Sequence, residues 1–423
     1  MTVSRIYPRV FLSGGVRRIF VLCDGSAPEI KLQPMESYYI PHGVPARIDE
    51  EHRYAYHPLT REGEGLWSFE YDFPVEGRYS IRIREGEAVA YYAYAYALSA
   101  ELAALRPLKG DTHTHTCRSD GTGTPFEVAC DYAEAGFDFV CITDHHKYFP
   151  SLEAGRKISA LTDRFTVIPG EEVHNKDMGY YHIVNLGGSS SVNEIIETDD
   201  GYVAAEIARI KGERAFPAGV NPDTAAYRIF ISEHIRRAGG VSVLAHPFWD
   251  AYGEYNMERA ELEYHITAGT MDALELFAGN DQDGNGDTLE IALLGDLRAR
   301  GADIPVLGAS DNHNRHSRTT RFNRNFSIVF ARGTDDLLAA IREGRTVAVR
   351  RRSDTDFLVV GEYRLVAYAR FLLREFYPEY ARLTARCADE MRAAGGSPTD
   401  ALRAAEAEVF ALRAEFFADG VNG

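Results

Sequence analysis

The side chains best suited to chemistry cluster in residues 110–148, GDTHTHTCRSDGTGTPFEVACDYAEAGFDFVCITDHHKY. His113 and His115 stand two apart at the end of a predicted strand. Residues i and i+2 of a strand share a face, so the two imidazoles converge on one point, as a metal site requires. Asp120 follows in a Ser-Asp-Gly turn. His145 follows an apolar run, Phe139-Val140-Cys141-Ile142, that ends in Thr143-Asp144-His145-His146. Imidazoles and carboxylates together suit Zn, Mn or Fe, and cations of this kind acidify water into a nucleophile.

The elements around these residues explain how they meet. Residues 124–136 read as a helix between the two strands. Strand, turn, helix and strand then place His113, His115, Asp120 and His145 at the same end of two neighbouring parallel strands. Open α/β sheets and barrels build their sites at that end.

This stretch resembles the PHP (polymerase and histidinol phosphatase) superfamily, whose hallmark is HxH…SDG…TDH. Further segments follow in the family's order: Gly170-Glu171-Glu172-Val173, His182-Ile183-Val184, Leu244-Ala245-His246-Pro247 and Ser310-Asp311-Asn312-His313. HxH alone is common, but five motifs in the right order make chance a poor explanation. The resemblance covers roughly residues 107–350 and implies a distorted barrel of seven βα units. It also implies a ligand set of His113, His115, Asp120, His145, Glu172, His182, His246, Asp311 and His313.

The assignment of ligands to ions comes from the family. His113, His115, Glu172 and Asp311 hold the first ion. Glu172 bridges to the second, which His182 and His246 complete. Asp120, His145 and His313 hold the third. The expected cofactors are therefore two to three divalent ions (Zn, Mn or Fe). Some family members have His where Asp120 stands, and the carboxylate favours Mn or Fe over Zn there. Thr112 replaces a frequent Leu and is expected to point away from the metals. Glu171 and Glu172 are neighbours in a strand and face opposite ways; the family pattern selects Glu172. Likewise it selects His145 over His146. Asp144 is expected to orient a ligand histidine. No single protein nucleophile is expected; a metal-bridging hydroxide takes that part. Lys147, His174, Lys176, Arg315, His316 and Arg318 flank the motifs as candidate phosphate contacts.

The rest of the chain divides by grammar. Residues 1–105 alternate apolar and polar side chains between Gly-bearing turns and predict a small β-sandwich-like domain. The run Tyr91-Tyr92-Ala93-Tyr94-Ala95-Tyr96 reads as core or interface before it reads as a sugar platform. His42, His52 and His57 lack metal-ligand spacing and receive no role. Residues 106–352 alternate strands (165–173, 181–186, 240–245, 272–277, 304–308, 326–331) with helices (151–164, 224–238, 254–268, 288–300, 334–342). This repetition predicts an α/β fold with a mostly parallel sheet closed or nearly closed into a barrel, and the PHP resemblance implies that it is a distorted (β/α)7-type barrel. Residues 187–221 read as an insertion, either a lid or a passive surface excursion. Residues 353–423 form a C-terminal helical extension, with helices expected over 363–382 and 399–417. They pack on the barrel or pair the chain as a homo-oligomer. Asp281-Gln282-Asp283-Gly284-Asn285-Gly286-Asp287 looks like the start of a calcium loop, but Ala292 stands where the closing Glu belongs.

Composition narrows the function. A formal net charge of −17 argues against a nucleic-acid or membrane-surface partner for the whole chain. Cys23, Cys117, Cys130, Cys141 and Cys387 include no CxxC pair and suggest free thiols in a reducing compartment. Cys117 lies near the histidines but is a weaker candidate ligand than they are. The opening MTVSRIYPRVFLSGG lacks a signal-peptide core, and no apolar run approaches the ~20 residues of a membrane span. A cytoplasmic location is expected. The expected activity is metal-dependent hydrolysis of small phosphate esters. The alternatives are hydrolysis of carboxylic esters, carbamates or amides at the same centre, and a metal-stabilised interaction module without turnover.

Overall fold

The computed structural model describes residues 1–35, 55–174, 182–251, 253–278, 285–314 and 323–423. The chain divides into two compact units. One comprises Met1–Arg106, Ala367–Tyr380 and Ala407–Gly423, the other Pro107–Val366 and Ala381–Glu406. Three C-terminal helices, Tyr363–Glu375, Tyr377–Ala393 and Asp400–Phe416, contribute to both. The single helix expected over 363–382 breaks at Phe376 because Pro378 lacks an N–H and fits only the first turn of the helix that follows. Among the described residues, no helix is long and apolar enough to cross a membrane.

The first unit holds β1 (Val3–Tyr7), β2 (Val10–Leu12), β3 (Gly15–Cys23), β4 (Glu29–Pro34), β5 (His57–Pro58), β6 (Thr60–Arg61), β7 (Leu66–Phe73), β8 (Gly77–Glu85) and β9 (Ala88–Leu98). They form two sheets, ordered β1-β3-β7-β6 and β2-β9-β8-β4-β5. Side chains of both sheets, among them Ile19, Val21, Phe73, Ile81 and Ile83, meet in one apolar cluster. The period of two decides the tyrosine run: Ala93 and Ala95 point inward, while Tyr92 and Tyr94 lie under the guanidinium groups of Arg82 and Arg78.

The second unit begins with β10 (Arg106–Thr114), β11 (Phe139–Ile142), β12 (Thr166–Ile168), β13 (Gly170–Val173) and β14 (Ile183–Leu186). It continues with β15 (Val241–Leu244), the small ribbon β16 (Asp250–Ala251) and β17 (Glu254–Tyr255), β18 (Ala273–Phe277) and β19 (Val306–Gly308). β20 (Asn325–Ala331), β21 (Thr346–Arg351) and β22 (Phe357–Gly361) complete it. The main sheets are ordered β12-β11-β10-β20-β21-β22 and β13-β14-β15-β18-β19. Pro169, which has no N–H for a ladder, splits the strand expected over 165–173 into β12 and β13, one for each sheet.

Backbone hydrogen bonds join the two sheets. His115 N–H donates to the Asn312 carbonyl and Asp311 N–H to that of His113, both at 3.0 Å. On the other flank, Glu172 N–H donates to the Thr143 carbonyl at 3.1 Å and His146 N–H to that of Glu172 at 3.3 Å. The hydrogen-bonded backbone thus runs β10, β11, β13, β14, β15, β18, β19 and back to β10. Gly170 permits the close approach at this seam; a β-carbon there would meet Cys141 Sγ at 2.3 Å and the Asn185 carbonyl at 2.8 Å.

The expected mostly parallel order fails at β14, which is antiparallel to both β13 and β15, and at β21, which is antiparallel to both β20 and β22. Only residues 174–182 connect β13 to β14, and a parallel crossover needs a dozen residues or more. The helices Pro222–Arg237, Arg259–Thr267 and Asn285–Ala299 share an apolar cluster with these strands through Phe230, Leu262 and Leu294. Within 187–221, the chain forms two helices, Val192–Thr198 and Asp200–Glu213, and Ile196, Val203 and Ile210 join that same cluster.

Candidate metal centre

β10 ends where its side chains turn to chemistry. The Asp111 carboxylate accepts from Tyr132 Oη–H at 2.8 Å, Ser310 N–H at 3.0 Å and His113 N–H at 3.2 Å. It fixes the strand end against the Ser310 turn, and its burial raises its pKa to about 6. Next to it, His113 and His115 are fully buried with their Nε2 atoms 3.1 Å apart.

Four donors surround one point. His113 Nε2 lies 3.3 Å from Glu172 Oε2 and 3.3 Å from Asp311 Oδ1. His115 Nε2 lies 3.4 Å from Glu172 Oε2 and 2.9 Å from Asp311 Oδ1. An ion bound tetrahedrally at about 2.1 Å separates its donors by about 3.4 Å. The other Glu172 oxygen, Oε1, has His182 Nδ1 at 2.5 Å and His246 Nε2 at 3.4 Å. A further group joins His115, Asp120, His145 and His313. In it, Asp120 lies 3.5 Å from His145 Nε2 and 3.4 Å from His313 Nε2. All nine residues singled out from the sequence therefore converge, His115 and Glu172 are each shared between groups, and His174 stands with His145 and Glu172 in a further one.

The surroundings fit cations. Glu172 Oε2 and His115 Nδ1 are buried without a hydrogen-bond partner, and a buried polar atom left this way is costly unless an ion takes it. Burial alone would raise the Glu172 and Asp311 carboxyls, yet the facing imidazoles hold both well below the usual carboxylate range. Burial works against charge on His145, and Glu172 and Asp120 still carry its pKa up to about 10. On His115 and His182 burial prevails, and each falls to about 4. Backbone geometry is also spent here: His246 has φ 30° and Asp311 φ 46°. Left-handed backbone of this kind costs on the order of 1–3 kcal/mol and gathers at functional sites.

The supports differ from expectation in two places. Among the described residues Asp144 bonds no histidine; it accepts from Thr116 N–H at 2.8 Å and from the Ser119 hydroxyl at 2.6 Å, holding the turn that presents Asp120. Gly121 lets this turn close, since a β-carbon would meet the His115 carbonyl carbon at 2.7 Å. Histidine orientation falls instead to Glu275, absent from the sequence reading. Its Oε1 lies 2.9 Å from His113 Nδ1, and its Oε2 accepts from His246 N–H at 3.3 Å. A carboxylate on Nδ1 leaves Nε2 free to bind a cation. Its signal in the sequence was a lone Glu inside the apolar Ala273–Phe277 strand.

Glu171 and Glu172 face opposite ways, as the strand period requires. Glu171 accepts from Ser191 Oγ–H at 2.7 Å, Val192 N–H at 2.6 Å and Asn193 Nδ2–H at 2.9 Å, at the start of the Val192–Thr198 helix. Of the candidate phosphate contacts, Lys147 is exposed and donates to the Arg118 carbonyl. His174 is buried beside His145. Lys176, Arg315, His316 and Arg318 lie outside the described residues, as do His42, His52 and most of the calcium-like loop. Cys117 is exposed and joins none of the ligand groups found among the described residues. Trp249 forms an apolar wall, its ring 5.4 Å from that of His246 and 5.8 Å from that of His182.

No protein-family model matches the chain, and no curated protein does. Among solved structures, the chain is similar to a two-domain protein from Bacteroides vulgatus containing a predicted PHP-like metal-dependent phosphoesterase. Identity is 17% and the TM-score 0.45, over 64% of this chain and 71% of that one. It is also similar to a protein from Bifidobacterium adolescentis provisionally assigned as a metal-dependent phosphoesterase, at 19% identity and a TM-score of 0.34, over 49% of this chain and 89% of that one. An amidohydrolase from Chromobacterium violaceum, with bound sulfate and no metal, is similar at 19% identity and a TM-score of 0.32, over 50% of this chain and 89% of that one.

Proposed function

We propose that the chain is a metal-dependent phosphoesterase of the PHP type, acting on small phosphate esters. The observation that carries this reading is the Glu172 carboxylate, buried and faced by His113, His115, His145, His182 and His246 within 3.4 Å of one oxygen or the other. His113, His115, Glu172 and Asp311 would hold one divalent ion, Glu172, His182 and His246 a second, and Asp120, His145 and His313, with His115 beside them, a third. Such ions, as Zn, Mn or Fe, acidify water towards neutral pH and screen the charge of a phosphate oxygen. Around them the protein's own groups set the geometry. Glu275 fixes the His113 tautomer, Asp144 holds the Asp120 turn, and Trp249 keeps one side of the cleft apolar.

The test is a screen of phosphomonoesters, phosphodiesters and carboxylic esters on protein of defined metal content. Two to three ions per chain and turnover of a phosphate ester are expected. Cleavage of carboxylic esters or amides alone would replace phosphate as the substrate class. Failure to bind Zn, Mn or Fe would remove the reading altogether.

A further inference from the structure

His174 lies two residues beyond Glu172 and is 4% exposed. Its Nε2 is 2.7 Å from His145 Nδ1. The opposite nitrogen of His145, Nε2, faces Asp120 Oδ2 at 3.5 Å. The His145 ring is held between others, 4.3 Å from the His115 ring and 4.6 Å from that of His174, centre to centre. His174 is itself placed by the backbone: its N–H donates to Asn193 Oδ1 at 3.2 Å, and the Asn193 amide donates to the Glu172 carbonyl at 3.0 Å.

We propose that His174 is a positioning residue for His145. Its Nε2 accepts the Nδ1 proton of His145 and so commits His145 Nε2 to the ion shared with Asp120 and His313. This rests on the three-ion reading above. A histidine that binds a metal through one nitrogen donates the proton on the other to a fixed acceptor. Glu172 Oε2 is a rival acceptor, 2.8 Å from His145 Nδ1, but the same oxygen faces His113 and His115 at 3.3 and 3.4 Å. With His174 taking the proton, that oxygen remains available to the first ion. His174 also stands with His145 and Glu172 in a group of donors close enough to hold an ion, and the two variants below separate that role from positioning.

The test uses the full chain loaded with zinc, as wild type, His174→Ala and His174→Gln. Competition with a chelator reads the affinity of each ion, and melting curves of the metal-free proteins report folding. In His174→Ala, one ion is expected to bind about 10–100-fold more weakly while the others are unchanged. His174→Gln should recover most of that loss, because its Oε1 can accept the same proton. Wild-type affinity for every ion in His174→Ala overturns the proposal. So does outright loss of one ion in both variants, which would make His174 a ligand. In wild type, long-range proton–nitrogen spectra of the zinc form should show His145 protonated on Nδ1; protonation on Nε2 overturns the proposal without any variant. Wild type that binds no zinc, manganese or iron would instead sink the three-ion reading, and this proposal with it.

Discussion

In the strands that precede Ala100, Ser68 is the one polar side chain buried among the described residues, whereas β10 alone buries Lys109, Asp111, Thr112, His113 and Thr114. The first region follows the ordinary rule that apolar side chains go inside, and its stability comes from area removed from water. The second region breaks that rule at one end of a ring of strands. Buried charge without a partner is costly, so the breach marks the place where something must be bound. A core and a site are thus told apart by what each would lose when one side chain is cut back.

Glu172→Ala should produce the largest effect. It removes a donor from each of two proposed ions, so bound metal should fall from about three to about one per chain, and hydrolysis to background. Elemental analysis with the substrate assay checks this. Full metal content in the variant would make the carboxylate a structural feature of β13 rather than the hub of a site.

Ile81→Ala tests the other side of the comparison. Ile81 is fully buried between the two sheets of the first unit. Its truncation should cost about 2–5 kcal/mol in urea unfolding, with metal per folded chain unchanged. A drop in metal content would show that the two regions are not energetically separable.

Much of the site was legible before the fold was known, because metal ligands keep fixed residue types and short spacings. His113 with His115 and Asp311 with His313 are i, i+2 pairs that declare themselves. Glu275 showed only as a lone Glu in an apolar strand and His174 only as a residue flanking a motif, since a group that orients a ligand needs only to be near it in space. The fold was legible where periodicity was strong. The turn of β14 into an antiparallel strand was written in the short 174–182 connection, and the two strands on either side of Pro169 in that proline. The helices within 187–221 were hidden by weak amphipathicity: in Asp200–Glu213 only Val203 and Ile210 are buried. Their start signals, Ser191 accepting from Glu194 N–H and Asp199 accepting from Tyr202 N–H, were present in the sequence.

Glu275→Gln sharpens the comparison at a finer scale. The amide keeps the shape but weakens the hold on His113 Nδ1, and affinity for the first ion should drop about 10–100-fold. Chelator competition measures it; an unchanged affinity would leave Glu275 as packing.

A pH-dependent effect concerns Lys109, a buried charge in β10 ahead of the ligands. Burial lowers its pKa to about 7, and its ammonium donates to the Ala135 carbonyl at 3.0 Å. The unfolded chain keeps that proton up to about pH 10.4. Between the two values the unfolded state binds more protons, so stability should rise with pH by at most about 1.4 kcal/mol per unit and level off above the unfolded pKa. Unfolding curves of wild type and Lys109→Met across pH 7–10 should diverge by that slope. Parallel curves would show that Lys109 stays charged when folded.

The back-to-back glutamates of β13 have a consequence for how this protein tolerates error. Glu171 grips the start of a helix and Glu172 stands among the histidines, and one peptide bond separates them. If β13 slipped by one residue, every side chain would change face. The slip would trade one glutamate for the other and undo helix anchor and metal hub together. A chain that paired β13 out of register would therefore have no half-working form, since one slip breaks both roles at once.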